Sequence, residues 1–177
     1  MSAIRTYTGK MFDPLHPDSS LIDIVDISHA LSMLCRANGH FKSFYSVGQH
    51  CINCAKEAEL RGYSRRVQLG CLLHDGSEAY LSDVTRPVKE VLPEYLVIET
   101  PLQEAIWNKW LREPLTQEEL TQIFKIDDDM LYHEFVALMD TRFPGEEPAL
   151  VSSPVFDSME FSKCKETFLQ LFDSLTK

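Results

Sequence analysis

The spacing of apolar residues along the chain predicts a protein built mainly from helices. Over most of the sequence, hydrophobic side chains recur every three or four residues, which is the pattern of helices that bury one face. Capping residues divide this pattern into segments, because Ser, Thr or Asp side chains precede several of the apolar runs. The predicted helices begin at Asp23 or Asp26, at Ser46, at Ser64, at Glu94 or Thr100 and at Thr116, and a last one carries Met159, Phe168, Leu169 and Phe172.

Two helix boundaries depend on residues that bend or stop the backbone. The pair Asn38-Gly39 suits a left-handed stop, so the first helix is expected to end near Arg36. Pro101 leaves two interpretations open. Either a new helix starts at Thr100, or one longer helix begins at Glu94 and is kinked at the proline.

The remaining segments predict a hairpin and loops. Residues 4–8 are β-prone and lead through a Gly9-Lys10 turn into Met11-Phe12, which indicates a short strand pair. Residues 143–157 contain three prolines and a glycine and are expected to form an extended loop. The predicted fold class is therefore all-α, a single compact domain over residues 1–177 with a short N-terminal β-hairpin.

Composition narrows the class of protein. Hydrophobic residues make up 44% of the 177 residues, which is enough for a core. No apolar run approaches the ~18 residues of a membrane span, and the N-terminus lacks the apolar region of a signal peptide, so we expect a cytoplasmic protein. With 27 acidic and 17 basic residues the net charge is -10, which disfavours nucleic acid and anionic membranes as partners. A small anionic substrate remains compatible with this charge.

The five cysteines are odd in number and lie among apolar residues, so we expect reduced, buried thiols. The pair Cys51-x-x-Cys54 has no second such pair and falls on the apolar face of a predicted helix. Redox or structural zinc chemistry is therefore disfavoured for this pair.

Candidate chemistry centres on residues 74–83, where one imidazole and three carboxylates lie close together. His74 and Asp75 are adjacent at a predicted helix end, His50 lies in the first turn of another helix, and residues 126–134 carry further acids. Two imidazoles with two carboxylates suit a borderline divalent ion, such as Mn, Co, Fe, Ni or Zn. The sequence therefore predicts a mononuclear metal site.

Such an ion favours hydrolysis of a phosphate ester, because it lowers the pKa of bound water and polarises a phosphoryl oxygen. Glu78 is a candidate to accept the proton of the water, and Asp83 to orient the water or protonate the leaving oxygen. Arg36, Arg86 and Lys89 are candidates to neutralise the phosphate.

Four stretches carry a resemblance to a known family. They are residues 45–50 (YSVGQH), residues 27–32 (ISHALS) with Arg36, residues 74–80 (HDGSEAY) followed by Asp83, Pro87 and Lys89, and Asp127 with Leu131 and Glu134. In order, His50, His74-Asp75 and Asp127 resemble the H...HD...D signature of the HD-domain metal-dependent phosphohydrolases. The match, over roughly residues 1–140, is closer to the bacterial 5'-deoxynucleotidase-like branch.

The resemblance implies an all-α HD-domain bundle and a set of site residues. The implied metal ligands are His50, His74, Asp75 and Asp127, with Glu78 and Asp83 near the water and Arg36 and Lys89 near the phosphate. The acidic triplet at residues 127–129 makes the fourth ligand ambiguous by one residue, and Asp127 is chosen because Leu131 and Glu134 fix the register.

The resemblance implies a nucleotidase that releases phosphate from deoxynucleoside 5'-monophosphates by attack of a metal-bound water. Its expected cofactor is one divalent ion among Mn, Co, Mg, Fe, Ni and Zn, and its expected assembly is a homodimer. Alternatives are a nucleoside triphosphohydrolase, another small phosphate-ester hydrolase, or a non-catalytic nucleotide-sensing HD domain.

Overall fold

Helices make up nearly all of the regular secondary structure in the computed structural model, which describes residues 3–177. The elements, in chain order, are β1 (Ile4–Arg5), β2 (Met11–Phe12), α1 (Ile24–Met33), α2 (Val47–Leu60), α3 (Arg65–Leu73), α4 (Glu78–Leu81), α5 (Arg86–Lys89), α6 (Pro93–Leu111), α7 (Gln117–Met139) and α8 (Phe161–Thr176). A 3-10 turn, Arg36–Gly39, follows α1. The two strands pair antiparallel, so the predicted all-α class with a short hairpin is confirmed.

Side-chain caps explain where several helices begin. The Ser46 hydroxyl accepts a hydrogen bond from the backbone of Gln49 at the start of α2, and Ser64 caps α3 in the same way. Thr116 and Glu119 form a complete capping box at the start of α7. Each cap satisfies backbone N–H groups that have no partner inside the helix. The predicted starts of these three helices are therefore confirmed.

The first helix ends earlier than predicted. It stops at Met33, because Leu34 takes an extended conformation and its carbonyl accepts a hydrogen bond from the backbone of Val47. Arg36 consequently lies in the 3-10 turn rather than in a helix, and its N–H donates to the carbonyl of Tyr45. This short extended segment fixes the position of Arg36 beside the start of α2.

Pro101 lies inside α6, which confirms the longer of the two helices considered for this segment. A proline in a helix leaves the carbonyl four residues earlier without its partner. Here that residue is Val97, which is 73% exposed, so water can satisfy the carbonyl. The last helix also differs slightly from the prediction, because Met159 precedes it and Glu160 provides its N-cap.

The hydrophobic core lies around α2 and α3, which pack against each other and against α1, α7 and α8. Two glycines permit close helix packing. A Cβ atom at Gly70 on α3 would lie 2.4 Å from Cδ1 of Ile123 on α7, and one at Gly48 on α2 would lie 3.1 Å from the backbone of Leu31 on α1. The Gly70 contact brings α3 close to α7, and the Gly48 contact brings α2 close to α1.

The segment between α7 and α8 is extended, as predicted, and polar side chains of α2 hold it in place. Glu57 is fully buried and accepts hydrogen bonds from the backbone N–H groups of Val151 and Ser152, at 2.9 and 2.8 Å. The Gln49 amide donates to the carbonyls of Val155 and Asp157. Gln49 therefore holds the loop and does not complete the capping box that its spacing from Ser46 predicts.

The cysteines are free thiols, and four of the five are buried as expected. Cys35 is exposed, which corrects the prediction for that residue; it lies in the short extended segment after α1. Within residues 3–177, none of the helices is both long and apolar enough to cross a lipid bilayer.

Candidate metal centre

Three helices bring the predicted metal ligands to one place. His50 lies in the first turn of α2, at a position fixed by the Ser46 cap. His74 is the C-terminal cap of α3, and Asp75 follows it directly. Asp127 lies near the middle of α7, which packs against both α2 and α3. The four predicted ligands therefore meet where α2, α3 and α7 come together.

The ligand atoms are within 4 Å of one another in most pairs. The Nε2 atoms of His50 and His74 are 3.1 Å apart. Oδ1 of Asp127 lies 3.1 Å from Nε2 of His50 and 3.6 Å from Nε2 of His74. Oδ2 of Asp75 lies 3.3 Å from Nε2 of His74 and 3.8 Å from Nε2 of His50.

Both imidazole rings are oriented by a contact at their other nitrogen. Nδ1 of His74 lies 2.7 Å from the carbonyl oxygen of Cys71, which can only accept a hydrogen bond. Nδ1 of His50 lies 2.6 Å from Oε1 of Glu134. A ring that donates from Nδ1 presents a lone pair at Nε2 when it is neutral. The two Nε2 lone pairs and the two carboxylates therefore point into one small space.

The electrostatics of this space favour positive charge. Burial alone lowers the pKa of His74, but the neighbouring Asp75 and Asp127 outweigh it and raise that pKa well above its ordinary value. Burial alone raises the pKa of Asp127, but hydrogen bonds with His50 and His74 hold it well below its ordinary value. The shifts at His74 and Asp127 show that this space attracts a proton or another cation.

The donor set fits a divalent metal ion. Donors bound at about 2.0 to 2.2 Å to one ion lie about 2.8 to 3.6 Å from each other in octahedral or tetrahedral geometry. The separations of 3.1 and 3.3 Å lie within this range, and the His50–Asp75 separation of 3.8 Å is slightly longer. Imidazole and carboxylate are also the ligands that borderline divalent ions accept. These residues could therefore hold a metal ion.

Thiols adjoin the same cluster, although the sequence disfavours zinc chemistry for Cys51 and Cys54. Ligand atoms of His50, Cys54 and His74 lie within 4.8 Å of one another, as do those of Cys51, His74 and Asp75, and each group could hold a metal ion. Sγ of Cys54 is 3.5 Å from Nε2 of His50. The signal was the helical spacing of His50 and Cys54, four residues apart on α2.

Arg36, predicted to bind phosphate, is buried and contacts three carboxylates. Its Nη1 and Nη2 atoms lie 3.3 Å from Asp75 and 3.3 Å from Asp127, and its Nε donates to Glu134 at 2.8 Å. The guanidinium therefore already lies against two predicted metal ligands. Burial alone lowers its pKa, but these carboxylates raise it well above the ordinary value, so the group is a permanent cation.

Glu78 and Lys89 lie together beside the ligand cluster. Glu78 begins α4 and is 5% exposed, and its Oε2 atom is buried without a hydrogen-bond partner in the described structure. Burial raises the pKa of Glu78 well above its ordinary value, and Asp75 and Asp83 add to this effect. Nζ of Lys89 lies 3.4 Å from Oε1 of Glu78.

The other two candidates lie toward the rim of the cluster. Asp83 accepts a hydrogen bond from the backbone N–H of Ala37 at 3.1 Å, and burial raises its pKa. Arg86 is more exposed and pairs with Asp128 at 2.7 Å, with Asp127 farther away at 3.7 Å. Asp83 therefore joins the site to the 3-10 turn, and Arg86 partly covers Asp127.

Two acidic residues that were not predicted to belong to the site contact residues that were. Glu134 contacts both His50 and Arg36, and in the sequence it served only to fix the register of Asp127 in the resemblance. Glu99 on α6 binds Nζ of Lys89 at 2.6 Å, and no sequence pattern singled it out.

Comparison with known proteins yields relatives without an assigned activity. No family model matches the chain. It is 35% identical over 117 residues to the uncharacterized protein YfdR of Escherichia coli strain K12, covering 65% of this chain and 62% of the relative. An uncharacterized protein of Rhodobacter capsulatus is 33% identical over 108 residues, covering 58% of this chain and 55% of that protein. The chain thus covers less than two thirds of the length of either relative, 62% of the first and 55% of the second.

Proposed function

We propose that this protein is a metal-dependent phosphohydrolase of the HD-domain type, and that it releases phosphate from deoxynucleoside 5'-monophosphates. The observation that carries the proposal is the convergence of His50, His74, Asp75 and Asp127 from three helices, with an unpartnered buried carboxyl at Glu78 beside them. The order of these residues along the chain also resembles the signature of that family.

The proposed chemistry divides between the metal and the side chains around it. A divalent ion at this site would lower the pKa of water and polarise a phosphoryl oxygen. Glu78, whose pKa is raised by burial, is a stronger base than an ordinary carboxylate, so it takes a proton from the attacking water. The protonated Glu78 then returns this proton to the leaving oxygen, directly or through Asp83.

The cations around the cluster fit a phosphate ester. Arg36 contacts Asp75 and Asp127, and Lys89 lies beside Glu78, so two cations adjoin the ligand cluster. In this proposal the Nη atoms of Arg36 and the ammonium of Lys89 offset the charge of the phosphate. Glu99 holds Lys89 in this position.

A phosphate-release screen tests the proposal. The full chain is incubated with deoxynucleoside and nucleoside mono-, di- and triphosphates in the presence of Mn, Co, Mg, Fe, Ni or Zn. We expect release that requires a metal and is lost in His74→Ala and Asp75→Ala. His133→Ala is a matched control, because His133 lies on α7 and contacts the carbonyl of Pro148 instead of the cluster. Full, chelator-resistant activity in both His74→Ala and Asp75→Ala would overturn the proposal.

A second candidate is a non-catalytic nucleotide-sensing domain. It is favoured by Arg36, whose guanidinium forms ion pairs with the two predicted carboxylate ligands, Asp75 and Asp127. The same screen separates the two functions, since a sensing domain would bind nucleotide without releasing phosphate under any metal. The pattern of substrates also distinguishes a monophosphatase from a triphosphohydrolase.

A further inference from the structure

Glu134 on α7 is a carboxylate whose two oxygens bind different parts of the site. It is fully buried. Oε1 lies 2.6 Å from Nδ1 of His50, and Oε2 accepts a hydrogen bond from Nε of Arg36 at 2.8 Å. Burying a carboxylate costs free energy unless its oxygens are hydrogen-bonded or ion-paired. Both oxygens of Glu134 have such a partner.

We propose that Glu134 is a positioning residue that fixes the tautomer of His50 and thereby makes Nε2 of that ring a metal ligand. An ionised carboxylate can only accept, so Nδ1 of His50 carries a proton, and in the neutral ring Nε2 then carries the lone pair. The inference rests on the proposed function, because it assigns Glu134 a role in the same metal centre.

Arg36 makes this orientation of Glu134 rigid. Its Nε–H donates to Oε2, so the carboxylate cannot rotate away from His50 without breaking a charge-assisted bond. The other end of the guanidinium contacts Asp75 and Asp127. Arg36 therefore holds Glu134, which orients the predicted ligand His50. It also contacts two other predicted ligands, Asp75 and Asp127.

Glu134→Gln tests this role directly, because the side chain keeps its shape and loses only its charge and one hydrogen-bond acceptor, which is replaced by a donor. The amide has one acceptor oxygen, which we expect to remain with the charged Arg36 because that bond is the stronger one. Its NH2 group then faces Nδ1 of His50, which must accept. The proton of the ring moves to Nε2, and the lone pair that would bind the metal is lost.

Glu57→Gln is a matched control within the same protein. Glu57 is also fully buried, lies on α2 like His50, and pairs with an arginine, Arg61, at 2.7 Å. Its other contacts are backbone N–H groups of the loop after α7, so it does not touch the cluster. A purely structural effect of removing a buried charge would appear in both variants.

The experiment is a titration of the full chain with cobalt chloride, in which binding is measured by calorimetry and by visible absorption. Glu134→Gln is expected to weaken cobalt affinity at least about 10-fold, up to about 100-fold. Glu57→Gln is expected to melt earlier but bind cobalt like the parent. Parent-like cobalt binding by Glu134→Gln, or an equal loss in folded Glu57→Gln, would overturn the inference.

A measurement on the parent protein covers the case in which Glu134→Gln does not fold. In zinc-loaded protein with 15N-labelled histidine, NMR should find the proton of the His50 ring on Nδ1. A proton on Nε2, or zinc bound through Nδ1, would refute the role of Glu134. Parent protein that binds cobalt but releases no phosphate would reject the hydrolase proposal and leave this inference intact. Parent protein that binds no metal would reject both.

Discussion

The acidic triplet on α7 provides a direct test of the metal centre, because its three consecutive carboxylates have different surroundings. Asp127 faces His50 and His74, and its side chain is 19% exposed. Asp128 is 58% exposed and pairs with Arg86. Asp129 is 8% exposed and pairs with Arg61 on another side of the helix. The changes to Asn at these positions are chemically identical and differ only in place.

The expected effect of metal on stability follows from mass action. At a free metal concentration about 100 times Kd, a ligand that binds only the folded state stabilises it by about 2.7 kcal/mol. For a chain of this size, that corresponds to a rise in Tm of roughly 5 to 11 °C. If Asp127→Asn weakens binding about 100-fold, the same metal concentration gives only about 0.4 kcal/mol, or roughly 1 to 2 °C.

The assay is differential scanning calorimetry of each variant with cobalt and with chelator. Each variant is compared with itself, so changes in metal-free stability cancel. We expect Asp128→Asn to keep the full shift, and Asp129→Asn to keep the shift from a lower starting Tm. A full shift in Asp127→Asn, or its loss in Asp128→Asn, would show that the ligand set is wrong.

Three further predictions concern catalysis, packing and pH. Glu78→Gln should lower kcat about 10²- to 10⁴-fold in the phosphate-release assay and leave metal affinity unchanged, since Glu78 acts on protons; undiminished kcat would exclude that role. Gly48→Ala should destabilise the fold by about 1 to 3 kcal/mol in urea denaturation, because the new Cβ would lie 3.1 Å from backbone atoms of Leu31 and Ser32, which cannot rotate away; unchanged stability would contradict the close packing of α1 and α2. Burial alone raises the pKa of Glu57, but its hydrogen bonds outweigh burial and lower it. Its stabilising contribution is therefore present above the ordinary glutamate pKa and is lost as pH falls below about 4, so the parent should lose more stability than Glu57→Gln between pH 7 and pH 3.

Local sequence patterns were sufficient to predict most helices. They also predicted the helix ends that carry His50 and His74. The Ser46 cap placed His50 in the first turn of α2, and the end of the apolar run placed His74 at the end of α3. These features depend on neighbours in the chain, so a local pattern contains the necessary information. The resemblance, rather than periodicity, selected Asp127 from the triplet.

Contacts between distant segments were not predictable in the same way. Arg36 and Glu134 are 98 positions apart in the sequence, and His50 and Glu134 are 84 apart. Nothing in the local pattern of either segment identifies the other as its partner. The early end of α1 has a similar cause, because Leu34 and Arg36 bond to the segment before α2 instead of continuing the helix.

The turn that carries Arg36 contains two residues with strained, left-handed backbone. Ala37 and Asn38 have φ angles of 53° and 51°, and left-handed backbone costs about 1 to 2 kcal/mol for a residue with a side chain. Contacts from outside the turn, such as the bond from Ala37 to Asp83, must offset this strain. Local unfolding starts where such offsetting contacts are few. We therefore expect the amide hydrogens of this turn to exchange with solvent before those of α2 and α3.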